Sequence, residues 1–456
     1  MTQEEALTIL KTGANVFLTG EPGSGKTHTV NRYVAYLRQC GVEPAITAST
    51  GIAATHIDGY TIHSWSGIGV TSNITEYELD AIAQKEKVVR RVRLASVLII
   101  DEISMLSQDT LASVELVCRT LRGDGRPFGG LQVVLVGDFF QLPPVVKQQV
   151  QKNLEIEYEE GSTSVFAFGA SAWKRANFLV CYLTEQHRQE DKVFLAALGA
   201  VRSGRAGGEV KSLLLGRNVA PETGSVHTKL FPHNANVDRL NEQELALLPG
   251  NVKTFEMRGR GGNPLVEALK RNCLSPEVLA LKVGAKVMFT KNDPNGDYYN
   301  GTTGEVVGFA TPGGLPQVKL RSGRTLAVDT VEWKIQDGNK ILASIEQIPL
   351  RLAWAITVHK SQGMSLDSAV VDLSQAFEYG QGYVALSRVR TLAGLYLLGF
   401  NERALQVHPE VAAQDELFRD ASDDAQESFG KMSPTELALM HSNFINASGG
   451  KVAKNV

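Results

Sequence analysis

Residues 20–27 read GEPGSGKT and satisfy the spacing GxxxxGK[ST]. Residue types at that spacing can hold a polyphosphate. Gly20, Gly23 and Gly25 let backbone N–H groups wrap phosphate oxygens, and Pro22, Ser24 and His28 complete the loop and its exit. Lys26 is expected to reach the β- and γ-phosphates of ATP, and the Thr27 hydroxyl to ligate Mg2+. A phosphate loop alone says only that a nucleotide binds. The segment LIIDEIS at 98–104 adds Asp101 for the Mg2+ shell and Glu102 as a general base that orients the attacking water. Those paired carboxylates point to hydrolysis. In GDFFQLPPV, Gln141 is placed to touch both the γ-phosphate and DNA. Arg188 in LTEQHRQ and Arg388 in YVALSRVR are candidate fingers, because transition-state charge must be met from across an interdomain cleft.

These groups need elements to hold them. Val16-Phe17-Leu18 is an apolar strand leading into the glycine loop. A helix follows from near Lys26, with Val30, Tyr33, Val34 and Leu37 on one face and Gly41 as its stop. Further buried strands are expected at Ala45–Ala48, Val97–Ile100 and Val133–Val136. Short apolar strands alternating with helices predict a parallel sheet covered on both faces, with ligands beyond its C-terminal strand ends. A second α/β pattern begins after about residue 176. It is interrupted over 285–347 by Gly, Asn and Asp turns between short β-like runs at Lys286–Phe289, Gln317–Leu320 and Thr325–Val328, which predicts a small β-barrel insert. Beyond Asn401 the chain is polar, with a capping box at Ser433–Glu436 before a short helix and loose last residues.

The loop after the second strand carries Ser49, Thr50 and Gly51, whose hydroxyls and N–H groups can point at phosphates. Thr61 and Trp65 lie just beyond; Trp65 either stacks on a base or packs in the core. The basic run at 85–93, KEKVVRRVR, reads as a solvated helix face before a specific contact.

Composition sets limits. The chain has 456 residues, 43% hydrophobic and 21% charged, enough for two or three cores. A net charge of −3 neither demands nor excludes nucleic acid, since a local cationic groove suffices. Cys40, Cys118, Cys181 and Cys273 are scattered without a CxxC pair, which fits a reducing cytosol and argues against a zinc site. The acidic N-terminus is not a signal peptide, and no apolar stretch approaches the roughly 20 residues that span a bilayer.

Taken together, the motifs GEPGSGKT, TASTGIAATHIDGYTIHSWSGIG, DEISM, GDFFQLPPV, LTEQHRQ, WAITVHKSQGMSLD and YVALSRVR resemble, in order, those of superfamily-one helicases of the B type, specifically the Pif (petite integration frequency) family. RecD and Dda helicases are its relatives. The stretch DTLASVELVCRTLRGDGRPFGGLQ resembles that family's signature element. The resemblance implies an α/β fold of two RecA-like parallel-sheet motor domains. The first spans 1–175 with a small insert at about 65–92, and the second spans 176–284 and 348–404 around the insert at 285–347. A helical or flexible tail occupies 405–456.

The resemblance also implies Gln3 as the adenine reader and His63 as part of the single-strand track. It implies His233 and Asn234 in a second-domain strand loop. Thr357, His359, Lys360, Ser361 and Gln362 would couple DNA to the ATP cleft, with Gly363 permitting close backbone approach. The activity implied is an ATP- and Mg2+-dependent DNA helicase moving 5′ to 3′ on single-stranded DNA. It would act on forks, duplex or G-quadruplexes in replication, repair, recombination or telomere maintenance. Replication or repair proteins are possible partners, and a monomer in a bacterial or phage host cytosol is expected. Two alternatives share the motor motifs: a single-stranded-DNA-stimulated ATPase that remodels protein–DNA complexes, and the motor subunit of a RecD-like nuclease assembly.

Overall fold

Strand β1 (Val16–Gly20) is buried along its whole length, as is β5 (Gln132–Val136). Strands buried on both faces belong in a parallel sheet with helices on each side. β2 (Ala45–Ala48), β3 (Tyr60–Thr61), β4 (Val97–Asp101) and β6 (Leu179–Leu183) join them in one sheet ordered β3-β2-β4-β5-β1-β6. The pairings β1–β5, β1–β6, β2–β3, β2–β4 and β4–β5 are all parallel. The coordinates are a computed structural model. It describes residues 1–50, 53–54, 59–69, 74–144, 164–185, 191–219, 227–233, 237–293, 297–298, 300–311, 314–320, 322–337 and 340–451. The chain folds as two compact units, Met1–Arg188 with Pro409–Val456, and Gln189–His408.

In the first unit the phosphate loop is followed by the helix Lys26–Gln39, which buries Tyr33, Val34 and Leu37. Gly41 takes φ +81°, the left-handed conformation that ends such a helix. A polar clasp closes the sheet's lower end. The Tyr33 hydroxyl donates to Gln132 Oε1 at 2.5 Å, and Gln132 Nε2 donates to the carbonyls of Leu10 and Ala14.

The polar tail is not loose over its described length. It forms two helices, Pro409–Gly430 and Pro434–Ala447, the second opened by the expected Ser433–Glu436 capping box. Phe418 enters an aromatic cluster with Phe17, Phe139, Phe168 and Trp173. Ser422 Oγ accepts the N–H of Tyr182 on the edge strand β6. Phe444 packs on Gly13, and the Lys451 N–H reaches the Cys40 carbonyl at 2.8 Å. Ala425 and Ile445 belong to the same core as Leu18, Leu37, Ile99 and Val134.

The second unit has its own parallel sheet. It is built from β7 (Thr228–Phe231), β18 (Ala355–Thr357), β19 (Ala369–Leu373) and β20 (Leu395–Phe400), ordered β18-β7-β19-β20. Between β7 and β18 the chain turns antiparallel. β11 (Lys286–Phe289), β12 (Thr303–Phe309), β13 (Pro316–Leu320), β14 (Thr325–Ala327) and β17 (Leu350–Leu352) pair in the order β14-β13-β12-β11-β17. This sheet is open among the described residues. Closure into the expected barrel would need the two edges to pair, and no such pairing is present among the described residues. Earlier strands join the region. β8 (Lys253–Glu256) pairs with β10 (Val278–Leu281), and β9 (Arg258–Gly261) pairs with β16 (Lys340–Gln347), itself paired with β15 (Val331–Asp337). Among the described residues no helix is long and apolar enough to cross a membrane.

Candidate functional site

Glycines in left-handed or tightly approached conformations shape the phosphate loop. Gly20 has φ +144°, and a Cβ there would lie 2.6 Å from the Leu183 carbonyl oxygen. Gly25 has φ +90°, and a Cβ would meet the Gln3 side-chain amide at 2.1 Å. Gln3 Nε2 donates to the Ser24 carbonyl at 3.3 Å, so the expected adenine reader is fastened to the loop. Lys26 Nζ donates to the carbonyls of Gly20 at 2.7 Å and Glu21 at 3.1 Å, spanning the cradle where phosphates would sit. Ser24 is fully buried and its hydroxyl has no hydrogen-bond partner among the described residues. Thr27 and His28 are exposed at the start of the helix. A cradle of this shape, with Lys26 across its mouth and a helix N-terminus behind it, fits a nucleotide's phosphates.

Asp101 ends β4 beside this loop. Burial pushes its carboxyl up; the Glu102 N–H, donated to Oδ1 at 2.8 Å, and then the Lys26 charge pull the other way. A carboxyl that has lost water this way gains from a divalent cation, and Thr27 and Asp101 are the residues that would hold one. Glu102 stands at φ +52°, ψ +47°, a left-handed conformation uncommon for a residue with a side chain. Its carbonyl accepts the Ser49 hydroxyl at 2.6 Å, and the Ser49 N–H donates to the Asp101 carbonyl at 3.0 Å. Gln141 is buried, its N–H donating to the Asp138 carbonyl at 3.0 Å.

Several residues read as strand contacts are occupied within the fold. Ser49 is turned to the acidic turn, not outward to phosphates. The Thr50 and Thr61 hydroxyls cap the turns after them, accepting the N–H groups of Ala53 and Ser64. Trp65 is 3% exposed, which places its ring in the core and not on a base-stacking face. Arg91, in the basic run, donates to the carbonyls of Trp65 and Ser64 and lies over the Tyr60 ring. Arg93 donates to the Leu121 carbonyl. Arg91 ties the helix Glu86–Leu94 to the fold, while Lys85, Lys87, Arg90 and Arg93 are exposed, as a solvated face would be. His63 stays half-buried, which lowers its pKa and favours the neutral ring.

In the second unit, the Thr357 hydroxyl accepts the Lys360 N–H at 3.3 Å, and Ser361 Oγ donates to the Val358 carbonyl. Both are buried and shape the turn that carries His359 and Lys360. Gln362 is nearly buried, and Gly363 has φ +74°. Arg388 is 2% exposed, its guanidinium donating to the carbonyls of Val384 and Met364 and to Ser387 Oγ. His233 is exposed and stacks on Phe377 with centroids 4.7 Å apart. Burial, and then the nearness of His233, lowers the His359 pKa. Phe377, 54% exposed, was not legible as a site residue, because nothing in its segment FEYGQG separates a presented ring from a packed one. Gly51, Arg188 and Asn234 lie outside the described residues.

A phosphate cradle and a buried acid at neighbouring ends of a parallel sheet, with a second parallel-sheet unit in the same chain, define a P-loop nucleotide hydrolase with two RecA-like units. Residues 3–207 match the profile of the PIF1-like helicases, and residues 264–309 that of the DNA helicase Pif1 2B domain. The ATP-dependent DNA helicase Pif1 of Psychrobacter sp. (strain PRwf-1) is 42% identical over 511 residues, covering 100% of this chain and 76% of that protein. The solved structure of Bacteroides sp. Pif1 with ADP-AlF4 superposes with a TM-score of 0.79 at 31% identity, covering 92% of this chain and 96% of that one. Bacteroides Pif1 bound to ssDNA is similar at a TM-score of 0.64 and 31% identity, covering 93% and 97%. The chain belongs to the Pif1-like helicase family.

Proposed function

We propose that this helicase runs 5′ to 3′ on single-stranded DNA and unwinds forked or structured duplexes, G-quadruplexes included, as a monomer in the cytosol of its host. ATP with Mg2+ supplies the phosphoryl group whose release drives the cycle. Lys26 and the loop N–H groups bind the phosphates, Thr27 and Asp101 would hold a Mg2+ ion that neutralises phosphate charge, and Glu102 orients the attacking water and takes its proton. Gln141, Arg188 and Arg388 respond to the γ-phosphate, and Gln3 reads the base. Four free cysteines fit a reducing compartment.

The observation that carries this reading is the pair of hydrogen bonds from Ser49 to Asp101 and Glu102. They fasten the loop after β2, the first unit's candidate strand contact, to the hydrolytic turn. A change in one loop is thereby felt in the other, which is what coupling translocation to hydrolysis requires. On the first unit the strand contacts are Gly51 and His63, with the Thr50 and Thr61 hydroxyls capping the turns beside them. On the second they are His233, Asn234, His359 and Lys360, with Thr357, Ser361 and Gln362 holding the turn.

The test is unwinding of duplexes carrying a single-stranded tail on the 5′ or the 3′ end. Unwinding from 5′ tails is expected; unwinding from 3′ tails alone overturns the polarity. ATP hydrolysis indifferent to single-stranded DNA overturns the coupling.

Phe377, stacked beside His233, is placed to receive a base. Phe377→Ala should weaken binding of an oligothymidylate by about 1–3 kcal/mol, measured by fluorescence anisotropy. An unchanged dissociation constant rejects the platform.

A further inference from the structure

Arg351 lies in the centre of β17, the strand that leads through Ala353 and Trp354 into β18 and the His359–Ser361 turn. Its Nε is shut off from solvent and has no hydrogen-bond partner. Among the described residues the side chain makes neither a hydrogen bond nor an ion pair. A guanidinium carries five donors and keeps its charge, so an Nε–H shut off from water without an acceptor is unfavourable, while the side chain as a whole is only half-buried and open to an incoming anion. Folds retain such a group where an anion completes it.

The neighbouring charges agree. Lys360 is half-buried, and its ammonium is pushed below its ordinary value by burial and then by Arg351, so the two cations act on each other. Burial likewise lowers Arg351, with Asp238 and Cys273 opposing. Asp238, on the helix Val237–Leu247, tempers the charge but forms no salt bridge with Arg351 among the described residues. Asp238 acts on both Arg351 and Lys360, so two cations and one carboxylate leave a net positive charge beside the proposed strand-binding turn.

We propose that Arg351 binds a backbone phosphate of the single strand, with Lys360 as the second cation on the same group. The assignment rests on the reading of the His359–Lys360 turn as a strand contact. It adds a residue outside the motifs from which that reading came. A planar fork matches phosphate geometry in two parallel hydrogen bonds, which an ammonium cannot do.

Arg351→Met and Arg351→Lys should be compared with the unaltered chain for binding of an oligothymidylate across a salt series. Arg351→Met should bind on the order of tenfold more weakly at low salt. The slope of log affinity against log salt should become shallower by about 0.7, the loss of one single-strand phosphate contact. Arg351→Lys should keep the slope and lose part of the affinity. The melting temperature of Arg351→Met should hold or rise, because a buried donor without an acceptor has gone. Equal affinity and equal slope in all three chains overturns the proposal. So does loss of ATP affinity with DNA affinity intact, which would make the anion a nucleotide phosphate. Failure of the unaltered chain to bind the oligothymidylate would instead sink the strand-contact reading itself.

Discussion

Lys26→Ala is expected to lower DNA-stimulated ATP hydrolysis by at least about 10²–10³-fold and to abolish unwinding, while single-stranded DNA still binds. Lys26 Nζ lies on the Gly20 and Glu21 carbonyls, in the cradle where it would exchange those oxygens for phosphate oxygens. Alanine removes the charge and leaves the loop's backbone, which is set by the glycines. The candidate strand contacts of the first unit lie on other loops, so their geometry does not depend on the lysine. Phosphate release and tailed-duplex unwinding measure the first effect, and anisotropy the second. A variant that lost DNA affinity to the same degree would show that the two sites are not separable. Glu102→Gln is the companion: it should keep ATP binding and lose hydrolysis, since the amide cannot accept the water's proton.

Phe418→Ala should destabilise the first unit by about 3–5 kcal/mol, the usual loss when a buried aromatic becomes a cavity. Its ring centroid lies 4.9 Å from Phe17, 5.9 Å from Trp173 and 6.1 Å from both Phe139 and Phe168, so one truncation loosens four rings. Phe17 sits on β1 directly before the phosphate loop, and nucleotide affinity should weaken along with stability. Urea unfolding of Phe418→Ala beside Leu439→Ala, whose side chain is 61% exposed, separates packing from helix propensity. Equal midpoints for both variants would mean that the C-terminal helices contribute nothing to this core.

How far the sequence reached depended on what kind of information each feature needs. The phosphate loop and the Asp101-Glu102 pair follow from spacing and a preceding apolar strand, both local. Where a hydroxyl points is not local: Ser49 follows a strand like any phosphate-contacting serine, and only the left-handed turn at Glu102 draws it inward. Trp65 was open between base and core for the same reason. The helix Pro409–Gly430 buries Val411, Phe418, Ser422 and Ala425 on one helical face, a period that the surrounding Asp, Glu and Gln residues obscured. The pairing of β9 with β16 joins segments far apart in the chain, which turn chemistry cannot specify. Arg351 stands in an ordinary-looking PLRLAW run, and only its Nε, shut off from water without a partner among the described residues, marks it.

The first unit is completed by residues that follow the whole second unit. A ribosome therefore releases β1 through β6 long before Phe418, Ala425 and Ile445 exist to cover them. At about 5–20 residues per second, the interval is on the order of tens of seconds, during which the edge strand β6 and the Phe17 cluster lack their cover. The usual order, N-terminal domain first, is closed to this chain. Its second unit has every strand it needs within one continuous segment and can mature while the motor's ATP-binding half is still waiting. Nucleotide-binding competence is thus a late event in synthesis, and a nascent chain stalled before Pro409 should be the form that chaperones hold.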